Sequence, residues 1–243
     1  MNLQEAINRR ISRRTYLETP IDSSALEVIQ QSISDYNRKG DLSITLIEEG
    51  RDAFAGFFKS YGMFKGVNTL IALQGKKEDE HLQEKCGYWG EHLVLEAISL
   101  GLGTCWVGVT FDKNNSFFQL NDNETLACVI TIGNVNESTT FKENMIRKMI
   151  HRKVRNLEDF YIAEEMPPFW FLKGIEAVCK APSAVNRQKY KFAYTKGIVS
   201  AFSEDNTQFG LVDLGIAKAH FSIAADGKFE FGNNGVFRPN LLA

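Results

Sequence analysis

With 243 residues, 44% of them hydrophobic and 24% charged, the chain is long and apolar enough to bury a sizeable core, which excludes a disordered or fibrous protein. Its 28 basic and 30 acidic residues leave a net charge of -2, so no global field draws it onto nucleic acid, and any anion must be held locally. No apolar run nears the roughly 20 residues that cross a bilayer, and the four Cys (Cys86, Cys105, Cys128, Cys179) are too scattered for a disulfide framework. The start lacks a charged-then-apolar signal pattern, so a reducing cytoplasm is expected, with neither a membrane nor nucleic acid as partner.

In chain order, Leu3, Ala6, Ile7 and Ile11 recur at helical spacing before an extended stretch through Thr15–Leu17. Ser24 and Glu27 have the form of a capping box opening a second helix with Leu26, Ile29 and Ile33 on one face. Leu42, Ile44 and Leu46 alternate as a strand, and Val67 to Leu73 reads as another. From about His81, the residues Leu82, Cys86, Trp89, Leu93, Ala97 and Leu100 define the longest helix, with Gly101 placed as its left-handed stop. Gly103 to Val109 reads as a Gly-punctuated loop, and Leu126 to Ile132 as a strand buried on both faces.

The second part repeats that order more briefly. Pro167 and Pro168 open a helix with Phe171, Ile175 and Val178; Tyr190, Phe192 and Tyr194 alternate as a strand, and Ile198 to Phe202 gives another. Leu211 to Ala225 is a long apolar helix, followed by alternating Phe229 and Phe231. Helix, strand, long helix and strand occur twice, which predicts an internal duplication with a truncated second copy: residues 1–163 as the first half and 164–243 as the second.

Positive charge gathers at Arg9, Arg10, Arg13 and Arg14, and again at Arg147, Lys148, His151, Arg152, Lys153 and Arg155. In an extended segment Arg10, Ser12 and Arg14 point to one side, where guanidinium forks and a hydroxyl suit a phosphate. This Arg-x-Ser-x-Arg segment, followed by Tyr16, resembles the amino-terminal signature of the flavin-dependent nitroreductase family. The stretch Ala181–Gln188 is similar to that family's Pro-Ser-x-x-Asn-x-Gln loop, although such a loop also suits ordinary turn chemistry. Gly101–Gly108 resembles the stretch after the family's central helix, and Arg152–Glu158 falls where the family carries late basic residues.

That resemblance covers nearly the whole chain and implies an α+β nitroreductase-like fold with a mixed, mostly antiparallel sheet packed by helices. It implies FMN held by its phosphate at Arg10, Ser12 and Arg14 with Lys153 and Arg155, by Pro182, Ser183, Asn186 and Gln188 along the ring and ribityl chain, and by backbone amides at Val107 and Gly108 near the reactive edge. Trp106 is either part of that edge or a plug behind the helix stop. The chain departs from the family in order: where the first loop should fall it has Ser34-Asp35-Tyr36-Asn37, and the second half has the loop without the arginine motif. Each half lacks what the other has, so the resemblance implies an intramolecular pseudo-dimer, a monomer or weak homodimer, with one intact site. The activity implied is NADH- or NADPH-driven reduction of a nitroaromatic, quinone or similar small-molecule acceptor by a ping-pong mechanism, with no catalytic side chain because the chemistry sits on flavin N5.

The other class of function is a non-catalytic flavin-binding or flavin-storage module on the same fold. Metal hydrolysis finds no His-Glu-x-x-His pattern among His81, His92, His151 and His220, so no metal is expected; His92 reads as a helix-packing side chain and Cys105 as a buried thiol.

Overall fold

The computed structural model describes residues 1–54, 63–150 and 155–240. Helix α1 (Leu3–Arg9) is opened by a capping box in which Asn2 and Glu5 satisfy each other's backbone amides. Helix α2 (Ser23–Gly40) starts earlier than the Ser24 box predicts, because Asp22 caps it by accepting the Ser24 amide at 2.9 Å. Strands β1 (Thr45–Ile47) and β2 (Thr69–Lys76) lead to α3 (Leu82–Ser99), and Gly101, at φ +85°, stops that helix as predicted. Leu42 and Ile44 are buried, yet only Thr45 onward pairs as a strand.

The expected loop at 103–109 is mostly strand. Residues Gly103–Val107 form β3 and pair antiparallel with β4 (Glu124–Gly133). Gly103 is there for close packing: a Cβ on it would lie 2.3 Å from the Val135 side chain and 3.1 Å from that of Arg13. Helix α4 (Phe141–Ile150), which the sequence pattern did not reveal, follows. Then come β5 (Tyr161–Ala163), α5 (Phe169–Val178), β6 (Tyr190–Thr195), β7 (Ile198–Ser203), α6 (Gln208–Ala225), β8 (Gly227–Phe229) and β9 (Gly235–Pro239).

The architecture is α+β, with two sheets. The first has the order β1-β2-β4-β3, antiparallel throughout; the second has β5-β6-β7-β9-β8, antiparallel except for the parallel pair β5 and β6. Strand, strand, 18-residue helix, strand, strand therefore occurs twice with one strand order, and β5 is added at the edge of the second sheet.

The two 18-residue helices α3 and α6 pack on each other more extensively than any other pair of elements. Glycine permits it from both sides: a Cβ on Gly87 would lie 2.1 Å from the Val212 carbonyl oxygen, and one on Gly215 would lie 2.0 Å from that of Glu84. Around this crossing one hydrophobic core runs from Ile29 and Ile33 through Leu93 to Phe171, Phe192 and Phe221. Phe221 stacks on Phe192 at 5.1 Å and meets Phe171, Phe229 and Phe237 edge-on at 5.1 to 5.7 Å.

The crossing makes a stability prediction. Gly87→Ala and Gly215→Ala should each push the helices apart and cost about 3 kcal/mol or more, beyond ordinary overpacking because the clash is with backbone. Chemical denaturation reads this; a loss below about 0.5 kcal/mol at both positions would show that the helices tolerate a wider crossing.

Candidate functional site

A cleft of about 730 Å³ opens beside the crossing. Among the described residues its walls come from seven pieces of chain: the segment after α1, Met63 and Phe64, the exit of β3, Cys128 of β4, one side of α4, the loop after α5 and the first turns of α6.

The segment after α1 is extended and tied to the edge of β3, with a Ser12–Thr104 bridge and the Arg13 amide donating to the Thr104 carbonyl at 2.8 Å. Arg10, Ser12 and Arg14 line the cleft, as the alternation read from sequence predicts, but Ile11 lines it too; Arg13 turns inward, only 5% exposed. Arg13 donates to Glu143 at 3.3 Å and to the carbonyls of Asn136 and Ser138 at 2.9 and 3.2 Å. Glu143, buried in the first turn of α4, also accepts the amides of Arg14 and Thr15 at 2.7 and 3.1 Å. Burial pushes the Glu143 carboxyl upward, but amide donation from Arg14, Thr140 and Thr15 outweighs it and the net shift is below the usual carboxylate range. One carboxylate thus fixes the backbone that aims Arg14 into the cleft.

Among the described residues four arginines line the cleft and are committed differently: Arg187 pairs with Asp205 at 3.5 Å. Arg10 is partly committed: its Nε lies 3.9 Å from Glu91 and one terminal nitrogen donates to the Lys180 carbonyl at 3.2 Å. Arg14 and Arg147, the latter on α4, line the cleft with no carboxylate partner among the described residues. Arg147 belongs to the second basic cluster but was not among the expected ligands.

Of the expected late basic residues, Lys153 lies outside the described residues, and Arg155 does not line the cleft. Its guanidinium donates to the carbonyls of Gln188 and Asp159, the latter at 2.6 Å, and covers the Phe160 ring at 4.5 Å, so it is spent on tying the loop from behind. In the loop itself Pro182, Ser183 and Asn186 line the cleft, whereas Gln188 does not. Gln188 is buried, its amide donating to Ser183 Oγ at 2.9 Å and its side chain to the Cys179 carbonyl at 3.1 Å, which makes it a staple of the loop.

Val107 and Gly108 line the cleft as expected, and the Phe209 ring packs so closely that a Cβ on Gly108 would lie 2.6 Å from it. Trp106 also lines the cleft, held by its indole N–H donating to Glu91 at 2.8 Å. Glu91 is fully buried in α3 and meets His220 Nε2 of α6 at 2.8 Å, while His220 Nδ1 meets the Ala177 carbonyl at 2.9 Å. Each ring nitrogen faces an oxygen, so the Glu91–His220 pair holds a proton between the two helices.

The residue that sequence reasoning missed is Asp213, on α6 in the cleft wall. Its two carboxylate oxygens each lie 3.0 Å from the Ala184 amide, and burial pushes its pKa up to about 7 against that one lowering hydrogen bond. The available signal was a lone acid inside the apolar run Leu211-Val212-Asp213-Leu214-Gly215-Ile216.

The readings of His92 and Cys105 stand. His92 packs among Tyr36, Tyr88 and Trp89, with burial lowering its imidazole to about 4, and Cys105 is a buried thiol whose pKa burial raises. Among the described residues no group of His, Cys, Asp and Glu is placed to hold a metal, and no helix is long and apolar enough to cross a membrane.

Glu143→Ala would strand the amides of Arg14, Thr15 and Thr140 and one N–H of the Arg13 guanidinium, at a cost of about 2 to 4 kcal/mol at pH 7. Because the folded-state value is lowered, this contribution is present above the unfolded carboxyl's pKa of about 4.3 and fades as pH falls through the folded value. Denaturant midpoints of the two proteins should therefore differ at pH 7 and converge on acidification; a constant gap down to pH 3 would contradict the assignment.

Comparison with known proteins gives the family. A family model described as "Putative TM nitroreductase" matches residues 2–225. No curated protein matches. A solved structure described as a putative nitroreductase from Thermotoga maritima is 24% identical with a TM-score of 0.63, covering 98% of this chain and 92% of that one. A nitroreductase with bound FMN from Bacteroides fragilis is 16% identical with a TM-score of 0.46, covering 58% of this chain and 92% of that one. With its arginine segment and Pro-Ser-Asn loop gathered on one cleft, and with all but its last strands inside the family match, the chain belongs to this nitroreductase family and is an oxidoreductase.

Proposed function

We propose that the cleft binds FMN and that the protein passes electrons from NADH or NADPH to a nitroaromatic, quinone or similar acceptor. The observation that carries this reading is that Arg14 and Arg147, with no carboxylate partner among the described residues, line with Ser12 the same cleft as Trp106, Val107, Gly108 and the Pro182–Asn186 loop. The residues fit the group. Two guanidinium groups and a hydroxyl suit a phosphate dianion, and the glycine at 108 lets a wall close over Phe209 without side-chain bulk. The flavin supplies the hydride chemistry when bound. The protein's part is to anchor the phosphate with Arg14 and Arg147, to orient the ring between Trp106 and the loop, and to exclude water with apolar walls. The donor and the acceptor would use the same cleft in turn, which supports ping-pong kinetics.

The repeated strand order supports reading the chain as a duplication with halves 1–163 and 164–243 that pack as an intramolecular pseudo-dimer, so that a monomer suffices to bind flavin. Aligning Gly87 with Gly215 also aligns His92 with His220, and sets Lys85 against Asp213 and Tyr88 against Ile216. At that second position Phe231 meets Tyr88 edge-on at 5.6 Å and lies under the Lys85 ammonium at 5.9 Å, while Gly232 sits against His81. Under that alignment these packed side chains stand opposite the cleft-lining residues Asp213 and Ile216, which supports one FMN per chain.

Fluorescence titration should give one FMN per chain, and bleaching of the bound flavin by NADH or NADPH separates an oxidoreductase from a storage module. Arg14→Ala removes a charged contact of about 1.5 to 3 kcal/mol, so FMN affinity should fall about ten- to a hundredfold while riboflavin, which lacks the phosphate, barely responds. Asn186→Ala should weaken both ligands alike. Equal losses of FMN and riboflavin in Arg14→Ala would remove the phosphate assignment.

A further inference from the structure

Asp213 is an acid in a place that does not welcome one. It sits one turn into an apolar helix, 7% exposed, in the wall of the cleft beside Val212 and Ile216. Its single backbone donor is the Ala184 amide. The charged and titratable groups that face it are few: Arg187 from the loop, Asp205 from the turn before α6, Tyr190 from β6 and Cys128 from β4. From α3, Gly87 offers no side chain at the crossing. Arg187 favours the Asp213 carboxylate, but it is already paired with Asp205 at 3.5 Å and the charge of Asp205 opposes it, so burial prevails. The group is thus poised to hold a proton near neutrality and to release it into the cleft.

Resting on the flavin reading above, we propose that Asp213 is the proton donor to the electron acceptor. In quinone reduction the acceptor gains a hydride, with its electron pair, from the reduced cofactor that the nicotinamide has charged. The Asp213 O–H bond breaks as a new O–H bond forms on the acceptor oxygen, and hydride plus proton complete the hydroquinone. The carboxylate then takes a proton back from water. Anchoring the flavin loop through Ala184 is the competing role, and substitution by Asn separates the two: its side-chain oxygen still accepts the amide, but it has no acidic proton.

The experiment has two arms. In the flavin-free protein, carbon NMR of labelled Asp should show one carboxyl titrating near pH 7 that vanishes in Asp213→Asn; titration of Asp213 at the ordinary value of about 3.9 overturns the proposal. In the FMN-loaded protein, Asp213→Asn should keep FMN affinity within about threefold and bleach with the nicotinamide at an unchanged rate. Its reoxidation by 1,4-benzoquinone should slow about a hundredfold or more and lose the step near pH 7. Asp213→Ala should loosen FMN as well. If Asp213→Asn reoxidises as fast as the unsubstituted protein, or loses FMN as Asp213→Ala does, Asp213 is a loop anchor and no donor. Failure of the unsubstituted chain to bind FMN would instead bring down the flavin reading and this proposal with it.

Discussion

The crossing of α3 and α6 is the constraint from which the rest follows. Two helices can approach to backbone contact only where neither carries a side chain, and Gly87 and Gly215 provide that from opposite sides. Once so close, the helices bury whatever polar groups they carry, and each must find a partner across the interface. Glu84 meets Lys218, which also donates to the carbonyls of Glu230 and Gly232 at 3.0 and 2.9 Å. Glu91 meets His220. Such pairs add little net stability over apolar residues, but breaking one leaves a buried charge alone, so they select this crossing over slipped alternatives.

The cleft inherits its geometry from that choice. Because α6 is held at Gly215, its preceding turn brings Phe209, Val212 and Asp213 to the cleft wall. Glu91, fixed by His220, receives the Trp106 indole and faces Arg10, so the crossing also sets the position of two residues on the opposite wall. Arg14 is independent of it: Glu143 on α4 positions its backbone and leaves its guanidinium unspent. Two neighbouring arginines of one motif are therefore held differently, Arg10 joined to the helix interface and Arg14 facing the cleft.

Much of this was legible in the sequence where periodicity and burial coincide. Helices α2, α3, α5 and α6 carry apolar stripes that face the core, and the alternation of Arg10, Ser12 and Arg14 is a property of any extended chain. Strand β3 was hidden because the two glycines near its ends read as loop, whereas Gly103 makes room for Arg13 and Gly108 for Phe209. Helix α4 was hidden because Phe141, Met145 and Met149, at i, i+4 and i+8, are exposed, so its stripe marks no core. Without that helix, nothing in the run of basic residues distinguishes Arg147, which faces the cleft, from Arg155, which is consumed by backbone carbonyls.

The Pro182–Gln188 loop shows how much the fold concedes to this site. Val185, Asn186 and Gln188 all have left-handed backbones, at φ of 46°, 53° and 49°, and for a β-branched residue such as Val185 that conformation is a genuine outlier. Each such residue costs about 1 to 2 kcal/mol, and strain of this order persists only where surrounding contacts over-determine it. They do so here from every side. Ser183 Oγ accepts the Gln188 amide, the Gln188 side chain holds the Cys179 carbonyl, Asp213 accepts the Ala184 amide, and Arg155 holds the Gln188 carbonyl. A turn serving only to join α5 to β6 would need none of this, since glycines at these three positions would relieve the strain. What the strained form achieves is placement: Pro182, Ser183, Val185 and Asn186 all reach the cleft, with the Val185 side chain half exposed at its rim.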